Sequence, residues 1–368
     1  MERERIAIFV PNLEGGGAER VMSTLANRFV RDGFRVEMVL MSATGPYLDE
    51  LDDRVAVVDL GARRLMRSAG RLARYLRSNR PDAMISTPGD ANVIAWLAWK
   101  LAGSKGRLVM REAVHESGHR AAAAGIRDRA LAFLRRRAFG FASHIVAPSV
   151  GVAEDLVRNV GIAPERVTVI PNPLDLPRIE ELARALVPDL PLGTDVPIVL
   201  GMGRLMAQKD FASLIRAFAI VRQSRNAVLV ILGDGEERKA LVELAEELRV
   251  GHGVMMPGFV ANPFPYLRRA AVFVLSSRYE GLPNALLQAV ALGIPVVATD
   301  CPSGPREILD EGRWGRLVPL GDVAAMAEAI IEGLDGRLDT MPREIVAERF
   351  GVEKIAGEYL AVLLDGGR

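Results

Sequence analysis

Residues Ser276–Ala298 read SSRYEGLPNALLQAVALGIPVVA. The stretch leads from an apolar strand through a glycine-bearing turn into a helix over 284–292, and then into a second strand over 296–298. Pro283 suits the first position of that helix, and Gly293 suits its end. We therefore predict a strand, a turn, a helix and a second strand, which is the repeating unit of a parallel α/β sheet.

The turn before this helix combines a carboxylate with a site suited to an anion. Glu280 lies beside the backbone N–H groups at the helix start. Those groups, together with the helix dipole, attract phosphate. One carboxylate next to one anion site is what an enzyme that handles a phosphorylated sugar needs.

The alternation of strands and helices extends along the whole chain, with an amphipathic helix predicted over 65–79 as one example. Such alternation predicts parallel sheets covered on both faces, with ligands at the carboxyl ends of the strands. A proline-rich stretch that begins at Pro171 separates the two halves. The simplest architecture is two doubly wound domains, over 1–175 and 192–348, that face each other across a cleft.

Composition narrows the class of protein. Of the 368 residues 49% are apolar, which is enough for two cores, and the net charge of +1 argues against a dedicated nucleic-acid-binding protein. Cys301 is the only cysteine, which excludes an internal disulfide and favours a reducing, cytoplasmic compartment. The charged start, Met1–Arg5, does not resemble a signal peptide, and no apolar run is long enough to span a bilayer.

The charges are unevenly distributed. Residues 1–180 contain 27 Lys and Arg against 21 Asp and Glu, whereas the remainder contains 20 against 25. Between Ala62 and Arg80 no residue is acidic and seven are arginine: Arg63, Arg64, Arg67, Arg71, Arg74, Arg77 and Arg80. The apolar residues that repeat there at helical spacing, and so face the core, are Leu65, Ala69, Leu72 and Leu76. Anionic lipid would attract the remaining cationic face, and a second cluster lies between Arg127 and Arg137. The alternatives are a solvated helix and a compositional bias toward arginine.

A glycine-rich turn follows the first predicted strand. Asn12–Arg20 reads NLEGGGAER, and Gly16 and Gly17 would let a diphosphate or a sugar approach the backbone closely. A dinucleotide fingerprint needs a third glycine where Arg20 stands, which argues against a nicotinamide cofactor. The alternative is a plain tight turn.

Three further turns follow predicted strands in the second half. Gly201–Asp210 reads GMGRLMAQKD, in which Arg204 and Lys209 offer a guanidinium fork and an ammonium to a diphosphate leaving group. A solvated basic turn is the alternative. The segments Gly233–Glu236, GDGE, and Pro257–Val260, PGFV, are weak signals when each is taken alone.

Taken together and in order, these segments resemble glycosyltransferase family 4, a family of retaining enzymes with the GT-B fold of two facing Rossmann-like domains. The resemblance covers nearly the whole chain. The Gly-Gly-Ala-Glu-Arg turn and the Glu-Gly-Leu-Pro-Asn form of the turn at Glu280 are most similar to the branch that contains N-acetylgalactosaminyl transferases of lipid-linked glycans.

The resemblance implies a role for each turn. Arg204 and Lys209 would hold the donor diphosphate, and Glu280 would contact the transferred sugar. The family has a second glutamate, eight residues after the first, that contacts the ribose; here Gln288 stands in its place, and its amide can still hydrogen-bond the ribose hydroxyls. The other implied donor-binding residues, which approach the phosphates, the sugar or the base, are Gly16, Gly17, Gly203, Phe259, Val260, Gly281, Leu282, Pro283 and Asn284.

The first domain is expected to meet the acceptor. Arg111–Ser117 follows a strand that would face the cleft, and the resemblance implies that Glu112 and His115 contact the sugar or the acceptor there. A surface histidine is the alternative for His115. The resemblance also implies that residues 349–368 cross back and pack on the first domain. No cofactor and no metal are expected, since the sequence contains no Asp-x-Asp pair and no His/Cys cluster with metal-ligand spacing.

We therefore expect a retaining, metal-independent glycosyltransferase that uses a nucleotide-diphosphate sugar, with UDP as the expected nucleotide. Its acceptor would be a glycan or a lipid-linked intermediate of cell-surface polysaccharide or glycolipid synthesis, at the inner face of the cytoplasmic membrane. Two alternatives stay open: a nucleotide-sugar epimerase of the same architecture, and a non-catalytic sugar-nucleotide-binding protein, which Gln288 suggests. The presence of Glu280, Arg204 and Lys209 argues against the second alternative.

Overall fold

The computed structural model describes residues 4–62, 65–113, 126–186 and 196–364, except for the side chains of 65, 66 and 126–129. The chain forms two compact units. The first consists of Met1–Pro173 with Phe350–Arg368, and the second of Leu174–Arg349. Each unit is built on one parallel β-sheet.

The strands of the first unit, within the described ranges, are β1 (Arg5–Val10), β2 (Arg35–Leu40), β3 (Ala56–Asp59), β4 (Ala83–Ser86), β5 (Arg107–Arg111), β6 (His144–Ala147) and β7 (Val167–Val169). They lie in the order β3-β2-β1-β4-β5-β6-β7, and every neighbouring pair is parallel. The strands of the second unit are β8 (Ile198–Met202), β9 (Val228–Leu232), β10 (Val254–Gly258), β11 (Ala270–Leu275), β12 (Val296–Thr299) and β13 (Arg316–Val318). Their order is β10-β9-β8-β11-β12-β13, again parallel throughout.

Helices connect these strands. In chain order the described α-helices are α1 (Gly17–Arg31), α2 (Leu65–Asn79), α3 (Gly89–Ala102), α4 (Ile126–Phe141), α5 (Val150–Asp155), α6 (Leu176–Leu182), α7 (Phe211–Val221), α8 (Arg238–Glu247), α9 (Phe264–Arg269), α10 (Asn284–Ala291), α11 (Pro305–Ile308), α12 (Val323–Leu334), α13 (Arg343–Phe350) and α14 (Val352–Leu364). None of the helices in the described part of the chain is long and apolar enough to cross a membrane.

The central strand β1 is buried on both of its faces. Ala7 and Phe9 belong to a core cluster with residues of α2 and α3, whereas Ile6 and Ile8 belong to a second cluster with residues of α1. Because successive side chains of a strand point to opposite faces, a strand covered on both sides needs apolar residues at every position. This requirement explains the unbroken apolar run after Arg5.

Helix α14 completes one face of the same core. Ile355, Tyr359 and Leu363 recur every four residues and are fully buried, at 0% exposure, in the cluster that contains Ile6. Arg111 Nε, at the end of β5, donates a hydrogen bond of 3.1 Å to Tyr359 Oη. Burial raises the pKa of the Tyr359 hydroxyl. Residues 352–364 thus lie within the first unit, where the sequence analysis expects the end of the chain to pack.

Two elements of the second unit differ from the sequence expectation. Helix α6 begins inside the proline-rich stretch that the sequence analysis treats as a linker; Asp175 caps it by accepting a hydrogen bond of 3.2 Å from Arg178 N. Asn262 Nδ2 then donates to Leu182 O at 3.0 Å, so the helix packs within the second unit. The strand β13 has only three residues and begins with an exposed arginine, which is why its apolar pattern is weak.

Candidate functional site

The turns that follow β8 and β9 are in direct backbone contact, and their glycines make this possible. A Cβ atom on Gly233 would lie 1.9 Å from the carbonyl oxygen of Gly203, and one on Gly235 would lie 2.3 Å from that of Leu205. Gly233 N also donates to Gly258 O at 2.8 Å, which links the end of β10 to the same edge. Gly203, which the sequence analysis selects as a donor contact, thus packs against Gly233, and the glycines of the two segments that are weak signals in the sequence bring three neighbouring turns together.

Lys209 and Glu280 form an ion pair at the carboxyl ends of β8 and β11. Lys209 Nζ lies 2.5 Å from Glu280 Oε1, and the exposed fractions of the two side chains are 18% and 7%. The two strands are neighbours in the sheet, which brings together residues that are 71 positions apart. The sequence analysis gives these residues separate ligands, a diphosphate and a sugar, and does not predict their direct contact.

The loops that carry this pair are joined by three hydrogen bonds, each accepted by a backbone carbonyl oxygen. Gln208 Nε2 donates to Tyr279 O at 2.8 Å, and Arg278 N donates to Gln208 O at 2.8 Å. Ser276 Oγ donates to Lys209 O at 2.7 Å. Both ends of the ion pair are thus held by a local framework rather than by one flexible loop.

A second ion pair closes the same framework. Arg278 Nε donates to Asp210 Oδ2 at 3.1 Å, and this contact raises the pKa of the Arg278 guanidinium. Asp210 adopts a left-handed conformation, with φ of 47°, and caps the start of α7 by accepting a hydrogen bond from Ser213 N. The chain therefore turns sharply directly after Lys209.

Three hydroxyl groups that the sequence analysis overlooked hold the turn at Glu280. Ser277 Oγ donates to Glu280 Oε1 at 2.7 Å, and Thr299 Oγ1 donates to Ser277 O at 2.5 Å. Ser303 Oγ donates to Glu280 O at 2.7 Å. A serine three residues before a glutamate is the signal that would have identified Ser277, but serine is common in turns of every kind.

The thiol of Cys301, which lies near Glu280, is buried and unreactive. Burial, followed by the negative charge of Glu280, raises the pKa of the Cys301 thiol to about 12. The thiol is therefore protonated at neutral pH. Cysteine reactivity depends on the thiolate, so this residue has no nucleophilic role at the site.

Helix α10 starts behind the turn at Glu280. Pro283 is the N-cap residue, one position earlier than predicted, and Gly293 follows the helix with a left-handed φ of 68°. Gly281, Leu282 and Pro283 are buried, and Asn284 is half-buried. A Cβ on Gly304 would lie 2.5 Å from Pro283 Cδ, so the turn is closely supported from behind.

Gln288 lies one helical turn after the start of α10. It is 6% exposed. Across the described ranges its side-chain amide makes no hydrogen bond with protein, unlike that of Gln208. A buried amide normally has a partner, so Gln288 is available to a ligand that reaches this face of the helix.

The remaining predicted donor residues are more exposed. Arg204 is exposed, and no hydrogen bond joins it to Lys209 or Glu280 in the described structure. The side chain of Phe259 is 53% exposed, and Val260 is half-buried, directly after β10. These three residues follow strands of the same sheet edge, but no described hydrogen bond or ion pair joins them to Lys209 or Glu280.

In the first unit, the glycine turn before α1 is approached by an acidic side chain. A Cβ on Gly16 would lie 1.9 Å from Glu19 Oε2, so the glycine makes room for that carboxylate. Gly17 is the first residue of α1. The group that comes close to this backbone is therefore negatively charged, and a diphosphate there would meet a like charge.

Glu112 lies directly after β5 and is buried, with 1% exposure. Its Oε1 accepts a hydrogen bond of 2.9 Å from Ala113 N. A Cβ on Gly89 would lie 3.4 Å from Glu112 Oε2 and 3.3 Å from the guanidinium carbon of Arg135. The carboxylate of Glu112 and the guanidinium of Arg135 therefore both border the space beside Gly89. His115 lies outside the described residues.

The described residues contain no group of three or more His, Cys, Asp or Glu side chains that could hold a metal ion. Among the described cationic side chains, Lys209, Arg204 and Arg278 follow strands that end at this edge of the second sheet.

Two known families match the chain. Residues 15–178 match the family described as Glycosyltransferase Family 4, and residues 196–335 match the one described as Glycosyl transferases group 1. Together the two matches cover most of both units.

Individual proteins and solved structures are also similar to this chain over most or part of its length. The N-acetylgalactosamine-N,N'-diacetylbacillosaminyl-diphospho-undecaprenol 4-alpha-N-acetylgalactosaminyltransferase of Campylobacter jejuni is 29% identical over 98% of this chain and 100% of its own length. The lipopolysaccharide core biosynthesis glycosyltransferase LpsE of Rhizobium meliloti is 36% identical over 60% of this chain and 63% of its own. The structure of Anabaena HepE in complex with UDP-glucose matches with a TM-score of 0.80 and 23% identity, and the match covers 98% of this chain and 100% of that chain. The agreement in fold includes both units.

Proposed function

Because the chain belongs to glycosyltransferase family 4, we propose that it transfers a sugar from a UDP-sugar to a lipid-linked glycan acceptor during synthesis of a bacterial cell-surface polysaccharide or glycolipid. The Campylobacter relative is named for a diphospho-undecaprenol-linked acceptor, and the Rhizobium relative for lipopolysaccharide core synthesis. In this proposal the second unit binds the donor and the first unit binds the acceptor.

The ion pair of Lys209 and Glu280 is the observation that carries the donor assignment. Its ammonium and carboxylate meet at the carboxyl ends of two adjacent strands, where α/β sheets bind their ligands. As the bond between the sugar and the diphosphate breaks, the electron pair stays on the diphosphate, whose charge Lys209 and Arg204 would offset. Glu280 would accept a hydrogen bond from a sugar hydroxyl.

Gln288 would contact the ribose in this arrangement. Its buried amide makes no hydrogen bond with a described protein group, and a ribose diol offers two hydroxyls as partners. Phe259 and Val260 would lie beside the base, and Gly203 would let the diphosphate approach the backbone.

The proposed reaction retains the configuration of the anomeric carbon and needs no metal ion. The name of the Campylobacter relative specifies an alpha linkage, and the common UDP-hexosamines also carry an alpha bond. Lys209 and Arg204 supply positive charge where a metal ion would otherwise be required. An excess of chelator should therefore leave the transfer rate unchanged.

The first unit would rest on an anionic membrane surface. Arg67 and Arg74 on α2, and Arg80 directly after it, are exposed and form no ion pair with any described residue. Phe133 and Phe141 on α4 are 57% and 41% exposed, and Arg137 and Lys100 lie over their rings, at 5.2 Å and 5.5 Å from the ring centres. Basic side chains beside exposed aromatic rings suit a lipid headgroup layer.

A two-step assay tests this function. First, thermal unfolding of the full chain is followed with UDP-, GDP- and dTDP-linked sugars, and we expect only UDP-sugars to raise the melting temperature, because a ligand that binds the native state stabilises it. Then an undecaprenyl-diphosphate-linked glycan is added, and sugar transfer is measured by mass spectrometry. Conversion of the donor sugar without any acceptor would instead indicate an epimerase. Donor binding with neither transfer nor conversion would indicate a binding protein.

A further inference from the structure

Ser277 is a buried serine that contacts the carboxylate of Glu280. It is fully buried, with 0% exposure. Its carbonyl oxygen accepts the hydrogen bond from Thr299 Oγ1, at the end of the neighbouring strand β12, and its own Oγ donates to Glu280 Oε1 at 2.7 Å. Ser277 thus links the carboxylate to the sheet rather than to the surface of the turn.

Two donors of different kinds share that one carboxylate oxygen. Lys209 Nζ lies 2.5 Å from Glu280 Oε1, and Ser277 Oγ lies 2.7 Å from the same atom. The lysine has a long flexible stem and a full charge, whereas the serine is short, neutral and fixed in place. A bound diphosphate would attract the ammonium but would leave the hydroxyl where it is.

We propose that Ser277 is a positioning residue that keeps the carboxylate of Glu280 oriented toward the sugar when a donor diphosphate draws Lys209 away. The inference rests on the proposed function, since it assigns Lys209 to the diphosphate and Glu280 to the sugar. A buried carboxylate that lost its ammonium and had no other donor would pay a desolvation cost and could turn within the site. The hydroxyl of Ser277 would prevent this, because it bonds Oε1 and leaves Oε2 of Glu280 to accept a hydrogen bond from the sugar.

Ser303 provides a matched control. It is also a buried serine, at 4% exposure, and it also bonds Glu280, but through the backbone carbonyl oxygen at 2.7 Å. Ser303→Ala removes a hydroxyl that supports the same turn without touching the carboxylate. Any difference between Ser277→Ala and Ser303→Ala therefore reports on the carboxylate and not on the turn.

The experiment compares the full-length wild type with Ser277→Ala, Ser277→Thr and Ser303→Ala, after their melting temperatures have been measured. We expect Ser277→Ala to lower kcat roughly ten- to hundredfold, the effect of losing a hydrogen bond to a charged group. Kd for UDP alone should change less than threefold, because UDP carries no sugar, and KM for the UDP-sugar should change less than kcat. Ser277→Thr keeps the hydroxyl and should recover most of kcat, whereas Ser303→Ala should lower kcat less than Ser277→Ala.

Two results would overturn the inference. One is a kcat of Ser277→Ala that equals the wild-type value, or that falls no further than in Ser303→Ala. The other is a Ser277→Thr variant that folds but is as slow as Ser277→Ala. Both results leave wild-type transfer intact, so they differ from a failure of the proposed function, in which the wild type itself transfers no sugar.

Discussion

Lys209 and Asp210 in the second unit each form an ion pair with a side chain from a neighbouring loop, whereas Arg67 and Arg74 of α2 in the first unit are exposed. The first pair is held at 2.5 Å and the second at 3.1 Å, with Glu280 and Arg278 as the partners. On α2, the exposed Arg67 and Arg74 form no ion pair with any residue that the structure describes.

The paired charges of the second unit and the exposed charges of α2 suit two different kinds of binding partner. A partly buried pair fixes charges in one geometry, which suits a small ligand that must be bound in one orientation. Exposed charges on flexible stems adapt to many arrangements, which suits a diffuse anionic surface, and they are sensitive to salt. The contrast predicts that changes in the second unit affect turnover, and that changes on α2 affect where the protein binds.

Replacing Lys209 should have the largest effect. We expect Lys209→Ala to lower kcat at least about a hundredfold, because it removes a cation from a site where negative charge increases in the transition state. The measurement is steady-state transfer with saturating acceptor. Lys239→Ala is the control, since Lys239 is an exposed lysine of the same unit and should leave kcat unchanged. Equal rates for the wild type and Lys209→Ala would contradict the assignment of this ion pair to the donor site.

Reversing charge on α2 should alter membrane binding and not donor binding. The triple variant Arg67→Glu, Arg71→Glu and Arg74→Glu should bind anionic liposomes more than about tenfold less tightly, since each cation near such a surface contributes about 1 kcal/mol. Sedimentation with liposomes measures this, and the wild-type interaction should weaken as salt is added.

The control for the α2 variant carries the same change in net charge elsewhere. Arg216, Arg268 and Arg269 are exposed arginines of the second unit, and their replacement by Glu matches the α2 variant in charge. If both triple variants lose liposome binding equally, net charge and not α2 is responsible, and the contrast between the two units fails.

A smaller effect should come from the exposed aromatic residues of α4. Phe133→Ala with Phe141→Ala should reduce liposome binding several-fold, and the loss should persist at high salt, because burial of apolar surface is not screened by ions. Val242→Ala is the control, since Val242 is 45% exposed in the second unit. A double variant that binds like wild type at every salt concentration would show that attachment is purely electrostatic.

The smallest effect should come from Gln288. Gln288→Ala should weaken UDP binding by about 1 kcal/mol, the usual contribution of one hydrogen bond, and Gln288→Glu should change it by no more than that amount. Isothermal titration calorimetry with UDP measures both, with the exposed Gln223→Ala as control. If UDP affinity is the same in all of these variants, Gln288 does not contact the nucleotide.

The sequence predicts regular elements well where one pattern dominates. Helix α2 has the predicted bounds, Leu65–Asn79, because its leucines and arginines segregate without ambiguity, and the described core-facing residues Ala69, Leu72 and Leu76 are buried. The strand β13 was not predicted, since three residues beginning with an arginine carry no clear alternation. The prediction of a helix or strand is therefore limited by how clearly its apolar and polar residues are patterned, and not by the length of the chain.

The site was predicted less completely than the fold. The charged residues Lys209 and Glu280 could be selected because both follow apolar strands, but their contact depends on β8 and β11 being neighbours, and strand order is not written in local sequence. The hydroxyls of Ser277 and Ser303 could not be selected, because their function arises from partners that only the folded turn supplies. The role of Gly16 also depends on the rotamer of Glu19, which sequence does not determine.

The position of α14 has a consequence for synthesis of the protein. Helix α14 contributes Ile355, Tyr359 and Leu363 to the core cluster that contains Ile6 and Ile8, beside residues of α1. A ribosome must therefore translate all of Leu174–Arg349 before the first unit can be completed, although domains commonly fold in the order of their synthesis. The unit whose residues emerge first is therefore completed last, and until then part of its apolar surface lacks the cover that α14 provides.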